Sequence, residues 1–348
     1  MLTAEETERL GQFLAKALHA ETCRIINVSR IHGGASRETL RFDAVTPERM
    51  LGLILRRDPP SEMIVTERRI EFAALRSFHD SCRVPVPRPI ALCEDDSVLG
   101  RPFMVIRRID NAGVSQAFTP DPYGEHRERI GERFFRILGA IHAADAAASD
   151  LAAAVKTPSP RACWSRELDH WEGVIEANAL EPQPIALAAI RRLRRAAPPA
   201  PKRLAIVHGD YRTGNFLHDS AGSINAILDW EMAHIGDPHE DLAWALDPLW
   251  AGRNGLAAGM LEFDHAIGLW SEASGREFDR EAFAWWTLFS AVKGVAIWLS
   301  CARRFNDDAG AEPILAFSGW YCLQRHNKMI ADRLAANPHG SLARGALA

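Results

Sequence analysis

The sequence predicts an α+β chain in two lobes, a smaller one built on an antiparallel sheet with one key helix and a larger, mainly helical one. Three observations predict it. Up to residue 109 the apolar runs are strand-length and broken by Gly- or Pro-containing turns, at 25–28, 40–44, 51–55, 90–93 and 103–106. Beyond that point apolar residues recur at helical spacing, as at Ile130, Phe134, Ile137, Leu138 and Ile141. The 348 residues suffice for one large domain or two lobes, and 47% apolar with 25% charged residues is a composition that builds a sizeable core.

Composition also excludes some classes. Lys plus Arg number 41 against 45 Asp plus Glu, a net charge of −4, which argues against a broad nucleic-acid or anionic-membrane surface. Six cysteines are scattered without a C-x-x-C pair, so reduced thiols are expected, with neither a zinc ribbon nor a disulfide framework. The stretch 2–20 mixes charges into an amphipathic helix and lacks the apolar centre of a signal peptide. The run 285–302 carries Lys293 and ends at arginines, too short and too polar to span a bilayer. A cytoplasmic protein without membrane insertion is therefore expected. The Pro-rich stretch 197–201 reads as a connector.

Taken in order, the first two strand-like runs flank a Gly-rich loop containing Gly33, Gly34, Ala35 and Ser36. Paired glycines let a backbone approach a polyanion closely, and successive N–H groups in such a turn cradle phosphate oxygens. The run 51–55 leads into Arg56, while alternation turns Arg57 to the opposite face. Ile70, Ala74 and Phe78 mark a helix over 62–78 that carries Glu71 and, one turn earlier, Glu67. The prolines of 84–89 are expected to end it, before a hairpin of 90–93 and 103–106.

The most informative stretch is 206–246. It sets His208, Asp210 and Asn215 in the spacing H-x-D-x-x-x-x-N, then places Asp229 after the apolar run Ile224, Ala226, Ile227, Leu228, and follows with Gly236, Asp237 and Asp241. Phosphoryl transfer needs little covalent help. It does need a carboxylate facing the acceptor hydroxyl and hard oxygen ligands for Mg2+. Asp210 supplies the first, Asn215 and Asp229 the second. A surface hairpin with Asx turns would explain any one of these residues but not their co-occurrence.

These motifs resemble the aminoglycoside phosphotransferase and choline kinase-like family of small-molecule kinases, over most of the chain. Gly209 stands where protein kinases carry Arg, and Asp229, Trp230 and Glu231 stand where they carry D-F-G. The resemblance implies a bilobal protein-kinase-like fold, with residues 1–109 as nucleotide-binding lobe and 110–348 as catalytic and acceptor-binding lobe. It implies Asp210 as base, Asn215 and Asp229 as metal ligands, and ATP or GTP with Mg2+ as cofactors. The Gly-rich loop would cover the phosphates, and Arg107 to Ile109 would form the hinge whose backbone meets the nucleobase. Arg56 stands where the phosphate-binding strand Lys is usual, with Glu71 as its partner and Glu67 the alternative. Arginine keeps the charge and changes the geometry, and its presence resembles a branch related to the kinase-like regions of acyl-CoA dehydrogenase fusion proteins.

His142, His208 and Asp241 are expected to be structural, Asp241 by accepting loop N–H groups at a helix start. The partners expected are a nucleoside triphosphate and a small-molecule hydroxyl acceptor. The absence of A-P-E after Asp229 disfavours a protein kinase. The alternatives are a catalytically silent nucleotide-binding protein, prompted by Arg56, and an aminoglycoside kinase. For the latter, Glu262, Asp264, Glu272 or Glu281 would supply carboxylates, although the Trp- and Phe-rich helices suit an acceptor with an apolar portion, such as a hydroxyacyl compound.

Overall fold

In a computed structural model of the chain, residues 2–31, 38–58, 67–114, 119, 121–251, 254–308 and 310–336 are described. The first lobe is a five-stranded antiparallel sheet of β1 (Arg24–Ile31), β2 (Glu38–Val45), β3 (Met50–Arg57), β4 (Pro89–Cys93) and β5 (Phe103–Arg107), in the order β1-β2-β3-β5-β4. Successive side chains of a strand point to opposite faces, and here both faces are covered. Phe103 and Val105 join Leu40, Phe42, Leu53 and Leu55 beneath α1 (Ala4–Ala17), whose Leu10 and Leu14 are fully buried. Met104 and Ile106 fall on the other face, with Ala74, Leu75 and Phe78 of α2 (Arg68–Phe78), in a core continuous with that of the larger lobe. Burial on both faces explains why β5 reads as an unbroken apolar run. At the start of α1, the Glu6 N–H donates to Thr3 Oγ1 at 3.1 Å and the Thr3 N–H to the Glu6 carboxylate at 2.8 Å, a reciprocal cap worth about 1 kcal/mol.

Two local expectations differ from the structure. Helix α2 begins at Arg68 with Glu67 as its cap residue, and stops at Phe78 before the prolines. A turn closed by the Ser81 N–H on the Phe78 carbonyl ends it, with the Arg83 and Val84 N–H groups donating to Ser81 Oγ. The loop between β4 and β5 holds a helical turn, α3 (Asp96–Leu99), capped by Asp95 and closed by Gly100 with φ of 75°. The Gly33 to Ser36 loop and residues 62–66 lie outside the described residues.

The second lobe begins with β6 (Gly113–Val114), α4 (Arg127–Ala143), α5 (Asp150–Ala154), α6 (Cys163–Asn178) and α7 (Pro184–Arg195). The connector 197–201 is irregular, as its prolines require. Four short strands follow: β7 (Ala205–Val207), β8 (Phe216–His218), β9 (Ile224–Ile227) and β10 (His234–Gly236). They pair as β10 with β7 and as a β6-β8-β9 sheet. Then come α8 (Pro238–Ala245), α9 (Phe263–Ser274), α10 (Arg280–Asp307), α11 (Pro313–Phe317) and α12 (Leu323–Ala336). By length and composition α10 alone among the described helices could cross a membrane, but its apolar stretch is packed inside the protein against α6, α7, α8 and α12. Of the tryptophans in this lobe, Trp244, Trp250, Trp270, Trp285 and Trp286 are buried, and Trp298 is half-buried. Trp320 is 68% exposed: its π-helical turn (Ser318–Cys322) is pressed onto α10 through Gly319 and Cys322, which turns Trp320 outward.

Helices α4 and α9 meet closely at Gly139, where an added Cβ would lie 2.6 Å from the Ala273 Cβ and 2.8 Å from the Trp270 carbonyl oxygen. Gly139→Ala should therefore destabilise the chain by about 1–3 kcal/mol, as overpacking does, read as a lower urea midpoint at unchanged slope. An unchanged midpoint would mean that the two helices separate without cost.

Candidate active site

Arg56 lies opposite Met104 on the face of the sheet toward α2. It pairs with Glu71 through Nη1 and with Asp229 through Nη2, the latter at 2.8 Å, and Glu231 stands 4.0 Å away. Burial alone would lower its pKa, but Glu71 first, then Asp229 and Glu231, hold the guanidinium above its ordinary value. Glu71 is 1% exposed and takes a second guanidinium, Arg68, which also holds Asp58 at 2.6 Å. Glu67 pairs instead with Arg69 at the surface. Arg57 faces the other way, held by Glu38 at 2.7 Å and by Glu6 of α1 at 2.7 Å.

Asp229 follows β9 in a left-handed conformation, φ 67° and ψ 56°, that Asp tolerates better than most residues. What fixes it is Trp230, fully buried, donating from Nε1 to the Ile227 carbonyl at 3.2 Å and packed between Phe78 of α2 and His208.

The loop from His208 to Asn215 is fixed from several sides. Asp241, fully buried on α8, accepts the His208 N–H at 2.7 Å and the Gly209 N–H at 2.9 Å. His142 Nε2 donates to the same carboxylate at 3.1 Å, its tautomer set by the Trp270 indole donating to Nδ1 at 2.9 Å. Burial lowers the pKa of His142, which keeps it neutral. His208 accepts the Asp210 N–H on Nδ1 and donates from Nε2 to the Leu228 carbonyl at 2.9 Å. Burial likewise lowers its pKa, so both imidazoles are structural donors.

Asp210 accepts the Trp244 indole N–H at 2.6 Å and Arg212 Nε at 3.0 Å on Oδ1, and Asn215 Nδ2 at 2.5 Å on Oδ2. A carboxylate has about four acceptor positions, so one on Oδ2 remains for an incoming hydroxyl. Asn215 Nδ2 also donates to the Asp210 carbonyl at 2.9 Å, and two acceptors on one side of the amide settle its orientation. Its Oδ1 accepts no hydrogen bond among the described residues and points away from Asp210, a hard oxygen suited to a divalent cation. The Leu228 N–H donates to the Asn215 carbonyl at 2.8 Å, which places Asp229 beside this amide. The structure thus brings Asp210, Asn215, Asp229, Arg56 and Glu71 together. Arg107 ends β5 opposite Leu53, and the half-buried Ile109 just beyond it has a backbone N–H and carbonyl without hydrogen bonds among the described residues.

The sequence model of the phosphotransferase enzyme family matches residues 27–285. The chain belongs to this family. It is 25% identical over 309 residues to probable acyl-CoA dehydrogenase IBR3 of Arabidopsis thaliana, a match covering 81% of this chain and 37% of that protein. The chain therefore spans little more than a third of that relative. It superposes with a TM-score of 0.74 on a crystal structure from Ralstonia eutropha JMP134, provisionally described as an aminoglycoside phosphotransferase, at 23% identity over 94% of this chain and 97% of the other. A spectinomycin phosphotransferase crystallised with ADP and spectinomycin gives a TM-score of 0.54 at 14% identity, over 92% and 97%. These likenesses show the bilobal kinase-like fold.

Beneath the loop of this phosphotransferase lies a charge cluster that sequence patterns do not announce. Lys293, 2% exposed on α10, donates to the Gly209 carbonyl at 2.5 Å and to Glu240 at 2.9 Å, between the rings of Trp171 and Trp244. Glu240 also accepts from His234 Nε2 at 3.1 Å, with Glu167 3.8 Å from the same nitrogen. Glu167, His234 and Glu240 are close enough to share a metal ion, but Lys293 on Glu240 and Arg166 on Glu167 already supply the positive charge there. Gly209 closes the turn with φ of 83°, and a Cβ there would sit 2.4 Å from the Met232 carbonyl oxygen.

Burial would lower the His234 pKa, yet Glu167 and Glu240 push it up to about 9. A raised folded-state value gives a stabilisation fully present below the unfolded value of about 6.5 and lost as pH rises through 9, at most roughly 3 kcal/mol. The stability difference between wild type and His234→Gln, from urea midpoints, should thus be largest near pH 6 and shrink between pH 6.5 and 9. A difference that ignores pH would remove the charge from this account.

Proposed function

We propose that this family member transfers the γ-phosphoryl group of ATP, or GTP, to a hydroxyl of a small molecule, with Asp210 as the base. The observation that carries this reading is the convergence of an open Asp210 Oδ2 position, Asn215 Oδ1 and Asp229. The acceptor hydroxyl donates to Asp210 Oδ2 and gives up its proton there as its oxygen bonds to the γ-phosphorus. The bond from that phosphorus to the β–γ bridging oxygen breaks, and the electron pair leaves on ADP. Asn215 Oδ1 and Asp229 are the groups that would hold Mg2+, which when bound neutralises charge building on the phosphates. Arg56 binds phosphate oxygens with a permanent charge, kept in place by Glu71. The loop of Gly33, Gly34, Ala35 and Ser36 covers the phosphates, and the backbone from Arg107 to Ile109 meets the nucleobase. For the acceptor, a hydroxyacyl compound fits the Trp- and Phe-rich helices, and the name of the Arabidopsis relative refers to acyl-CoA.

Asp210→Asn should lower kcat by about 10²–10⁴, the usual contribution of a positioned base, while nucleotide affinity by calorimetry stays within a few-fold. Equal loss of both would move the base elsewhere. Arg56→Ala should raise the nucleotide KM by the equivalent of about 1.5–3 kcal/mol, and Arg56→Lys should recover part of it. Unchanged ATP binding in Arg56→Ala would favour the catalytically silent alternative.

A further inference from the structure

One cation beside the base has no part in the reaction just described. Arg212 lies two residues after Asp210, its Nε on Asp210 Oδ1 at 3.0 Å and its Nη1 on the Thr213 carbonyl at 2.9 Å. Its guanidinium carbon lies 4.6 Å from the ring centroid of Trp250, so stacking, a carbonyl and a carboxylate together fix its plane. Nη2 makes no hydrogen bond among the described residues, and the side chain keeps 24% of its surface exposed. Such a fork, held on one side and open on the other, matches the planar oxygens of a carboxylate or phosphate.

The surroundings favour an anion and place it on the acceptor side. Trp250 packs on Trp244 and Trp298, and both of those stack on His326 of α12, so Arg212 is backed by the helices that follow the metal-site residues. The Trp250 indole N–H is a second donor in this wall with no acceptor among the described residues. Cys322, pushed up to about 11 by burial, is pulled back by Arg212 and Arg325. Arg56, by contrast, is committed to Glu71 and Asp229 on the nucleotide side. Glu272, one of the carboxylates considered for a polycationic acceptor, is held at the surface by Arg136.

We propose that Arg212 is a specificity-determining residue: the acceptor carries an anionic group, carboxylate or phosphate, that pairs with Arg212 while its hydroxyl meets Asp210. The inference rests on the phosphotransferase reading and narrows its substrate class. A polycation would bring ammonium groups against a fixed guanidinium at the base, which like-charge repulsion opposes.

The test uses the full chain with ATP and Mg2+ and three matched acceptors: 3-hydroxyoctanoate, its neutral N-methylamide, and its CoA thioester, which has no carboxylate but carries phosphates. ADP release should favour one anionic member over the amide by about ten- to a hundredfold in kcat/KM, the value of a hydrogen bond to a charged group. Whether the free acid or the thioester wins distinguishes a carboxylate from a phosphate. In Arg212→Met the ratio of anionic to neutral turnover should collapse toward one, and Arg212→Lys should restore part of it, with ADP affinity reporting that each variant is folded. A ratio that survives in Arg212→Met while all rates fall together would overturn the proposal and leave Arg212 acting on Asp210 or on the transferred group. So would a wild type that prefers the amide or kanamycin. If no acceptor is phosphorylated, calorimetry with 3-hydroxyoctanoate separates the two ideas. Binding lost in Arg212→Met keeps the anion site while the phosphotransfer reading fails, and binding indifferent to Arg212 sinks the anion site.

Discussion

The rest of the site depends on one guanidinium that belongs to both lobes. Arg56 issues from β3, yet its Nη1 goes to Glu71 on α2 and its Nη2 to Asp229 beyond β9. Desolvating so many charges is costly, and the structure offsets it by leaving none alone: Glu71 has two guanidinium partners, and Arg68 is tied in turn to Asp58. A lysine ammonium would have to reach both carboxylates from a single nitrogen. The flat fork of arginine reaches two carboxylates with separate nitrogens. Arginine at this position is therefore matched to the bridging task it performs.

The loop from His208 to Asn215 is held for a different reason. Gly209 takes a left-handed turn whose inner side has no room for a Cβ, and the turn is pinned by Asp241 on its N–H groups and by Lys293 on its carbonyl. Both pins are buried ions with their own partners, His142 for Asp241 and Glu240 for Lys293. Asp210 then receives three side-chain donors that hold its carboxylate plane before any substrate arrives. Preorganisation of this kind matters most where chemistry is mainly positioning, as in phosphoryl transfer.

Much of this was legible in the chain. Period-two alternation separated Arg56 from Arg57, because a strand buried on both faces must send neighbours to opposite clusters, and Arg57 duly meets α1. The choice between Glu71 and Glu67 was left open there, because one turn of a helix puts both on the same face and only the start of α2 at Arg68 separates them. The roles of Lys293, Trp244 and Arg212 were not legible. Lys293 sits 84 residues from the carbonyl it holds and Trp244 sits 34 from its carboxylate, and each looks locally like an interruption or a core residue. Such contacts exist only once α8 and α10 pack beneath the loop, and no local pattern encodes that packing. Nor does helical phase give any warning of the π-helical turn that exposes Trp320.

The division of labour within the site explains why family membership leaves the acceptor open. Groups suited to phosphate and metal come from β3, α2, the loop ending at Asn215 and the turn at Asp229, all tied together by hydrogen bonds of the main chain or by the Arg56 bridge. Groups on the far side of Asp210 come from α8, the chain after it, α10 and α12, where Trp244, Trp250, Trp298 and His326 stack on one another. Trp244 and Arg212 touch both sets, since each donates to the Asp210 carboxylate and packs on Trp250. Trp298 donates to His326 and His326 meets Asp247, and among the described residues neither bonds to a phosphate-side group. The charge that Arg212 presents there is thus a property of this chain within a fold that other members turn to other acceptors.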